Sequence, residues 1–138
     1  MSLKCAAVTK SVIGAFYDVY NELGYGFLDE ESLVVALRAS GMTVERQVPI
    51  PVWFRGVNVG NFRADLLVNH VALVELKACR TLESAHEAQL LHYLKATETE
   101  VGVLLYFGQR PQFRRLLFDN ARKRIRANPC EFVAEVLA

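Results

Sequence analysis

Residues 62–78 contain two apolar, β-like runs that are interrupted by charged side chains, and this stretch constrains the fold more than any other. Leu, Val and Ala would lie on both faces of these strands, which is typical of interior strands covered by helices. An ionised side chain there costs several kcal/mol unless it is paired or binds a metal. Asp65, Glu75 and Lys77 therefore need a reason to be in this stretch.

A three-residue loop at residues 69–71 would bring these charges together. In that register Asp65 faces Glu75 across a hairpin, and Lys77 lies two residues further along on the same face. A two-residue turn would instead put the two carboxylates on opposite faces, so the prediction depends on this loop or on a bulge. The other face would be an uninterrupted apolar surface that anchors the hairpin on the core, made of Ala64, Leu66, Val68, Ala72, Val74 and Leu76.

Two carboxylates on one face predict a hard-oxygen site for Mg²⁺ or Mn²⁺. Lys77 beside them would hold a water or stabilise developing negative charge, which is the equipment for phosphodiester hydrolysis. The alternative is a buried ion pair between Lys77 and Glu75 or Asp65 with a structural role alone. We favour the metal site because buried ion pairs contribute little stability for their desolvation cost.

The composition fits one packed domain spanning residues 1–138, with 52% hydrophobic residues. Apolar runs such as residues 101–107 are far shorter than the ~18 residues that cross a bilayer, and the N-terminus has no signal-peptide pattern. We therefore expect a cytoplasmic protein without a membrane partner. The three cysteines are scattered, so neither a zinc site nor a disulfide framework is indicated.

A net charge of +1 hides a basic segment late in the chain. This segment suits nucleic acid as a partner, although a solvated basic face is the other interpretation that charge alone leaves open. Its basic residues are Arg110, Arg114, Arg115, Arg122, Lys123, Arg124 and Arg126.

Helical and strand periodicities divide the remaining chain into elements. We predict a helix capped by Ser11 and ended by Gly24, and a second helix that begins at an Asp29 cap and ends at Gly41. Further expected elements are edge-type strands at 43–49 and 52–55 with a turn at 56–58, a helix from a Ser84 capping box, a buried strand at 101–107, an edge strand at 113–118, and a basic helix at 120–127.

Two sets of side chains within these elements are of functional interest. Trp53 and Phe54 are of the type that stacks on bases, but an aromatic pair in a strand more often packs in the core or on a face of the sheet. His86, Gln89 and Tyr93 form one stripe on their helix. Because that helix must return over the sheet, we expect Gln89 and Tyr93 to point toward the carboxylates.

The order helix, three strands, helix, strand, with these charges in place, resembles the PD-(D/E)XK nuclease superfamily. More narrowly, the chain is similar to the small bacterial GxxExxY proteins. The matching motifs are VIGA at 12–15, NELG at 21–24, VERQ at 44–47, RADLLV at 63–68, VELKA at 74–78 and HEAQLLHYL at 86–94. The name-giving motif itself departs at 26–32, which has Asp for Glu and Ser for Tyr.

The resemblance implies an α/β fold with a central mixed β-sheet flanked by helices, restriction-endonuclease-like, whose αβββαβ core spans about residues 10–126. It implies that Asp65 and Glu75 bind the divalent metal, that Lys77 serves the attacking water or the transition state, and that Gln89 and Tyr93 orient them or the substrate. Asp29 would be a further metal ligand, with Glu30 and Glu31 as alternatives. These acids also have a structural explanation, because carboxylates at the start of a helix are stabilised by the helix dipole.

The expected function is therefore Mg²⁺- or Mn²⁺-dependent phosphodiester hydrolysis with DNA as substrate, and a homodimer is left open. A first rival is a nucleic-acid-binding module that retains the fold without cutting. A second is a protein-interaction module in which the charged hairpin is only a salt-bridge network.

Overall fold

The computed structural model describes residues 3–25 and 30–126. Its elements, in chain order, are α1 (Leu3–Leu23), α2 (Glu30–Ala39), β1 (Val44–Phe54), β2 (Val57–Val68), β3 (Ala72–Lys77), α3 (Ser84–Ala96), β4 (Val101–Phe107), β5 (Pro111–Leu117) and α4 (Asn120–Arg126). None of the described helices is both long enough and apolar enough to cross a membrane.

The strands form one five-stranded sheet in the order β1-β2-β3-β4-β5. Neighbouring strands are antiparallel except β3 and β4, which are parallel and are joined by α3 as the crossover helix. The predicted α/β class, with a mixed sheet flanked by helices, is confirmed. Both edges lie where the sequence placed them, since β1 accommodates its two prolines at one edge and β5 forms the other.

One face of the sheet packs against α1 and α2. Leu66, Val68, Ala72, Val74 and Leu76 are buried there as predicted. Ala64 is the exception, because it packs in the second cluster, on the α3 side, with Ile50. The β2–β3 ladder ends at the Leu66 and Val74 pair, so β2 has parted from β3 before Ala64 and its side chain is no longer held to that face.

The other face of the sheet is covered by α3. Leu90 and Leu94 of this helix are buried against Leu73 and Leu104. The helix lies close to β4 at Gly102, where an added Cβ would be 3.0 Å from the Leu90 side chain. This close approach sets the height of α3 above the sheet and so the position of its polar stripe.

Several predicted boundaries are corrected by the structure. Helix α1 begins at Leu3, so Ser11 lies inside it, because the buried Val8 and the partly buried Cys5 extend the apolar face by two turns before Val12. The turn after β1 consists of Arg55 and Gly56, both with positive φ (51° and 78°), and β2 begins directly at Val57. Two-residue turns with positive φ match the twist of a hairpin.

The ends of the other helices are also defined. Helix α3 is capped by Glu83 rather than Ser84, and the Glu83 N–H donates to His86 Nδ1 at 3.1 Å. Helices α1 and α2 are followed by Gly24 and Gly41, with φ of 82° and 85°, as predicted. Asp29, the predicted cap of α2, lies outside the described residues.

The late basic segment is not simply a solvated surface. Lys123 is only 7% exposed. Its Nζ donates to Thr97 O at 2.8 Å, Thr99 O at 2.6 Å and Asn120 Oδ1 at 2.7 Å. Lys123 therefore anchors α4 to the C-terminal end of α3, where a cation is favoured by the helix dipole. The interpretation of Lys123 as a nucleic-acid contact is wrong.

Lys123→Met is expected to lower the free energy of unfolding by about 1–3 kcal/mol, because the half-buried carbonyls of Thr97 and Thr99 lose a charged donor. Burial lowers the pKa of Lys123 to about 8, against the nearby Glu100, Glu98 and Asp119, which raise it. The unfolded chain therefore binds the extra proton at pH values between that pKa and the ordinary value of 10.5, and stability rises with pH across this window. In urea unfolding, the difference in free energy of unfolding between the wild type and Lys123→Met should grow as the pH rises from about 8 to 10.5. A loss no larger than that of the exposed Lys10→Met, or one independent of pH, would contradict this role.

Candidate active site

Asp65 and Glu75 face each other across β2 and β3, on the side of the sheet covered by α3. The three-residue loop is present, since Val68 pairs with Ala72. The Asp65 N–H donates to Glu75 Oε1 at 2.9 Å, and the Leu76 N–H donates to Asp65 Oδ2 at 2.8 Å. Each carboxylate thus replaces a carbonyl of the opposite strand as acceptor. The ladder of backbone hydrogen bonds between β2 and β3 ends here because the two side chains have taken the place of the backbone acceptors.

The two carboxyl groups are held close together in a poorly solvated place. Glu75 is only 4% exposed. Burial first, and then the charge of Asp65, raises the pKa of Glu75 to about 7. Burial also raises the pKa of Asp65, while the hydrogen bond from the Leu76 backbone opposes this. The two neighbouring carboxylates repel each other, and a cation bound between them would stabilise their ionised forms.

Lys77 lies on the same face, at the end of β3. Its Nζ is 4.0 Å from Glu75 Oε2, whereas it donates to Gln89 Oε1 at 3.0 Å. The closest partner of the ammonium is therefore the neutral amide from α3, and its contact with Glu75 is at the outer limit of an ion pair. Lys77 and Glu75 therefore do not form the close buried ion pair that was one form of the structural alternative.

Gln89 and Tyr93 of α3 lie on the side of the sheet that carries the pair: Gln89 accepts a hydrogen bond from Lys77, and Tyr93 is close enough to Glu75 and Asp65 for their charges to raise its pKa. Burial is the main cause of the raised pKa of Tyr93, followed by the charge of Glu75, and Gln89 lies within hydrogen-bonding reach of its hydroxyl. The phenol thus remains a proton donor beside the pair. His86 shares the stripe, but its ring is used in the cap of α3.

The upstream acids are engaged by β1. Arg46 donates to Glu30 Oε2 and to Glu31 Oε2, each at 2.7 Å, and Gln47 Nε2 donates to Glu30 Oε1 at 3.0 Å. Gln47 has a positive φ of 50°, and its side chain also lies within reach of Asp65. Burial is the main cause of the raised pKa of Asp65, and the charge of Glu30 adds to it, so of the two described upstream acids Glu30 is the one whose charge acts on the pair. Of the three candidates, Asp29 is outside the described residues.

Within residues 3–25 and 30–126, no three acidic, histidine or cysteine side chains converge closely enough to hold a metal by themselves. The Asp65 and Glu75 pair nevertheless fits Mg²⁺, which keeps several waters and is commonly bound through one or two carboxylates plus substrate phosphates. Each carboxylate has one oxygen fixed by a backbone N–H, which orients the group before any cation binds. Mn²⁺ suits the same oxygen donors.

Two features next to this site were not assigned to it from the sequence. A small polar cleft of about 260 Å³ beyond the end of β3 is lined by Arg80, Arg110 and Tyr106, among others. A larger cleft contains Trp53, which is 53% exposed and therefore does not lie in the core, one of the two places expected for it. No periodicity marks Arg80 and Arg110, because both lie in loops that only the folded chain brings together.

The sequence of residues 6–116 matches the family described as the PD-(D/E)XK nuclease superfamily. A solved structure described as that of SSO0001 is 15% identical, with a TM-score of 0.44, covering 99% of this chain and 60% of that one. An alkaline exonuclease, LHK-Exo from Laribacter hongkongensis, is 14% identical, with a TM-score of 0.39, covering 75% of this chain and 62% of that one. The chain thus spans about 60% of the length of these proteins. No curated protein matches the sequence.

Proposed function

The chain belongs to the PD-(D/E)XK nuclease superfamily, and on this basis we propose that it is a nuclease that uses Mg²⁺ or Mn²⁺ to hydrolyse phosphodiester bonds in DNA. The observation that carries the proposal is the Asp65 and Glu75 pair, with raised pKa values and with Lys77 held beside it by Gln89. The VELKA and HEAQLLHYL motifs support placing it among the GxxExxY-type members.

Asp65 and Glu75 would hold the divalent cation between them. A cation in such a site supplies positive charge to the phosphate and makes water a better nucleophile near neutral pH. The two carboxylates contribute fixed oxygens that need no rearrangement, because backbone donors on the opposite strand already orient them. Glu30, held by Arg46 and Gln47, would add negative charge behind Asp65 without moving into the site.

Lys77 would act on the phosphate and on the water that attacks it. Its Nζ is anchored by one hydrogen bond to Gln89 Oε1, which leaves further donors on the ammonium for substrate oxygens. A fixed cation aimed at developing negative charge stabilises the transition state more than the ground state. Gln89 would therefore position Lys77, and the Tyr93 hydroxyl would donate to the substrate or to the carboxylate pair.

The cleft lined by Arg80 and Arg110 would hold the neighbouring phosphates. Lys77 pairs with Tyr106 across β3 and β4, and Tyr106 lines the cleft, so the cleft lies beside the end of β3 that carries Lys77. The Tyr106 hydroxyl donates to the carbonyls of Cys79 and Arg80, both at 2.8 Å, and this fixes the loop that carries Arg80. Arginine suits phosphate because its guanidinium donates two parallel hydrogen bonds.

Replacing Arg80 and Arg110 by Gln should weaken binding to DNA of any sequence. The slope of log affinity against log salt should fall by about one unit for each lost phosphate contact. Arg115→Gln is the matched control, because Arg115 is an exposed arginine on β5 that pairs with Val103, on the α1 side of the sheet. Equal slopes for the Arg80 and Arg115 variants, measured by fluorescence anisotropy, would rule out this phosphate path.

The test of the proposed function is incubation of the purified protein with linear duplex, covalently closed circular and single-stranded DNA in Mg²⁺, in Mn²⁺ and in EDTA. Cleavage that requires the metal supports a nuclease, and loss of the closed circle identifies an endonuclease. Binding with the expected salt slope but no cleavage in any metal would favour the non-cleaving binding module. Neither binding nor cleavage would overturn the nuclease assignment.

A further inference from the structure

A cleft of about 760 Å³ lies between α3 and the outer part of the β1–β2 hairpin. Its walls include Trp53 and Phe62 from the hairpin and His92 and Lys95 from α3. None of the described residues that line it is acidic. Its volume falls in the range of roughly 300–1,000 Å³ that is common for small-ligand sites.

This cleft is continuous with the candidate active site. Gln89, the hydrogen-bond partner of Lys77, lines the cleft, and so does Tyr93, which is close enough to the carboxylates for their charges to raise its pKa. The Phe62 and Tyr93 rings are 6.2 Å apart at an interplanar angle of 41°. A strand whose phosphate reached Lys77 would therefore have its adjacent base at the opening of an aromatic cleft.

The aromatic side chains of the cleft are exposed although they would gain from burial. Trp53 is 53% exposed and Phe62 is 49% exposed. Large aromatic faces left open in a concave site are typical of places where a flat ligand stacks. Base stacking on such rings is tolerant of sequence, since every base has a π-face.

We propose that this cleft binds unpaired nucleobases of the strand that is cut, with stacking on Trp53 and Phe62. The inference rests on the proposed function and narrows it, because the bases of an intact duplex are stacked inside the helix and have no free face to offer. The substrate class is then single-stranded DNA, or duplex DNA with a single-stranded end.

The charge of the residues that line the cleft is compatible with a negatively charged nucleic-acid strand. Lys95 is the cation of its walls, and no carboxylate among the described lining residues would repel a phosphate. A second copy of the chain would more readily use the convex, exposed part of the hairpin, where Phe54, Val57 and Val59 are each more than half exposed. The cleft itself is concave and of the size of a small ligand.

Trp53 reports on the cleft directly because it is the one tryptophan in the sequence. Its fluorescence should be quenched when the protein, kept in EDTA to prevent cleavage, binds a short oligothymidylate. An abasic oligonucleotide of the same length carries the same phosphates without the bases. It should bind more weakly by roughly five- to a hundred-fold and quench little, because stacking contributes this much per base.

Variants locate the effect within the hairpin. Trp53→Leu and Phe62→Leu, followed with a labelled oligonucleotide, should each reduce the preference for thymidylate over the abasic strand. Phe54→Leu is the matched control, since Phe54 is an equally exposed aromatic residue of the same hairpin that does not line the cleft. It should leave the preference unchanged.

Equal affinity of the wild-type protein for the thymidylate and abasic strands would overturn the base-binding cleft. A Trp53→Leu variant that changes only from dimer to monomer in sedimentation would also overturn it, because the cleft would then be an interface between two copies of the chain. Metal-dependent cleavage measured on the same preparation separates the two claims. Cleavage without a base preference leaves the nuclease and removes the cleft proposal. Base-dependent quenching without cleavage in any metal removes the nuclease and leaves a single-strand-binding site.

Discussion

Glu75→Gln should make the metal-free protein more stable at pH 8, by about 1–3 kcal/mol, because it removes a buried charge that faces Asp65. The pKa of Glu75 is raised from 4.5 to about 7, so the folded state binds the extra proton between these values. Stability from this group is fully present below pH 4.5 and is lost as the pH rises through 7. Urea unfolding in EDTA should therefore show that Glu75→Gln has a higher free energy of unfolding than the wild type at pH 8, and that this difference is much smaller at pH 5.

Addition of Mg²⁺ should reverse the order of stability. A cation bound by the native state stabilises it by an amount that grows with its concentration, and the wild type should gain more than the variant. Glu45→Gln is the matched control, because Glu45 is an exposed glutamate of β1 whose partner is His70. A Glu75→Gln variant that is destabilised at pH 8 as much as at pH 5 would show that the pair is a structural element and not a site under electrostatic strain.

Lys77→Met should lower the rate of DNA cleavage by about 10²- to 10³-fold while binding of DNA changes little, because a preorganised cation acts mainly in the transition state. Met retains most of the apolar stem of the side chain, so the loss reports on the ammonium. Single-turnover cleavage gives the rate, and anisotropy in EDTA gives the affinity.

Gln89→Leu tests how Lys77 is positioned. It should give a smaller loss of rate than Lys77→Met, and combining the two changes should cost little more than Lys77→Met alone, because both act through the same ammonium. Lys10→Met, on the exposed surface of α1, is the control. Additive losses for Lys77 and Gln89 would contradict the positioning role.

The part of the candidate site whose geometry could be predicted from the sequence depends on strand alternation. Once a three-residue loop follows Val68, the period of two puts Asp65, Glu75 and Lys77 on one face, and the crossover helix can only return over that face. Gln89 and Tyr93 followed from helical periodicity in the same way. These are local patterns, and local patterns can be read before the fold is known.

What the sequence could not predict depends on contacts between distant segments. Lys123 looks like any surface lysine until Thr97 and Thr99 are placed beside it. Trp53 looks like a core or sheet-face residue until the hairpin is seen to extend beyond β3, which leaves its ring in a cleft. Ala64 follows the alternation of β2, but the opening of the ladder at Asp65 changes which cluster it joins.

The most direct test of the central claim is the initial rate at which the wild-type protein cleaves labelled DNA in Mg²⁺, measured beside Glu75→Gln, Glu45→Gln and an EDTA control. Loss of a ligand that holds the cation should lower the rate of Glu75→Gln by about 10³-fold or more, since the cation contributes several kcal/mol. We expect Glu45→Gln to match the wild type and EDTA to abolish cleavage. A Glu75→Gln variant that cuts as fast as the wild type, or wild-type cleavage that persists in EDTA, would contradict the assignment of Asp65 and Glu75 as the metal-binding catalytic pair.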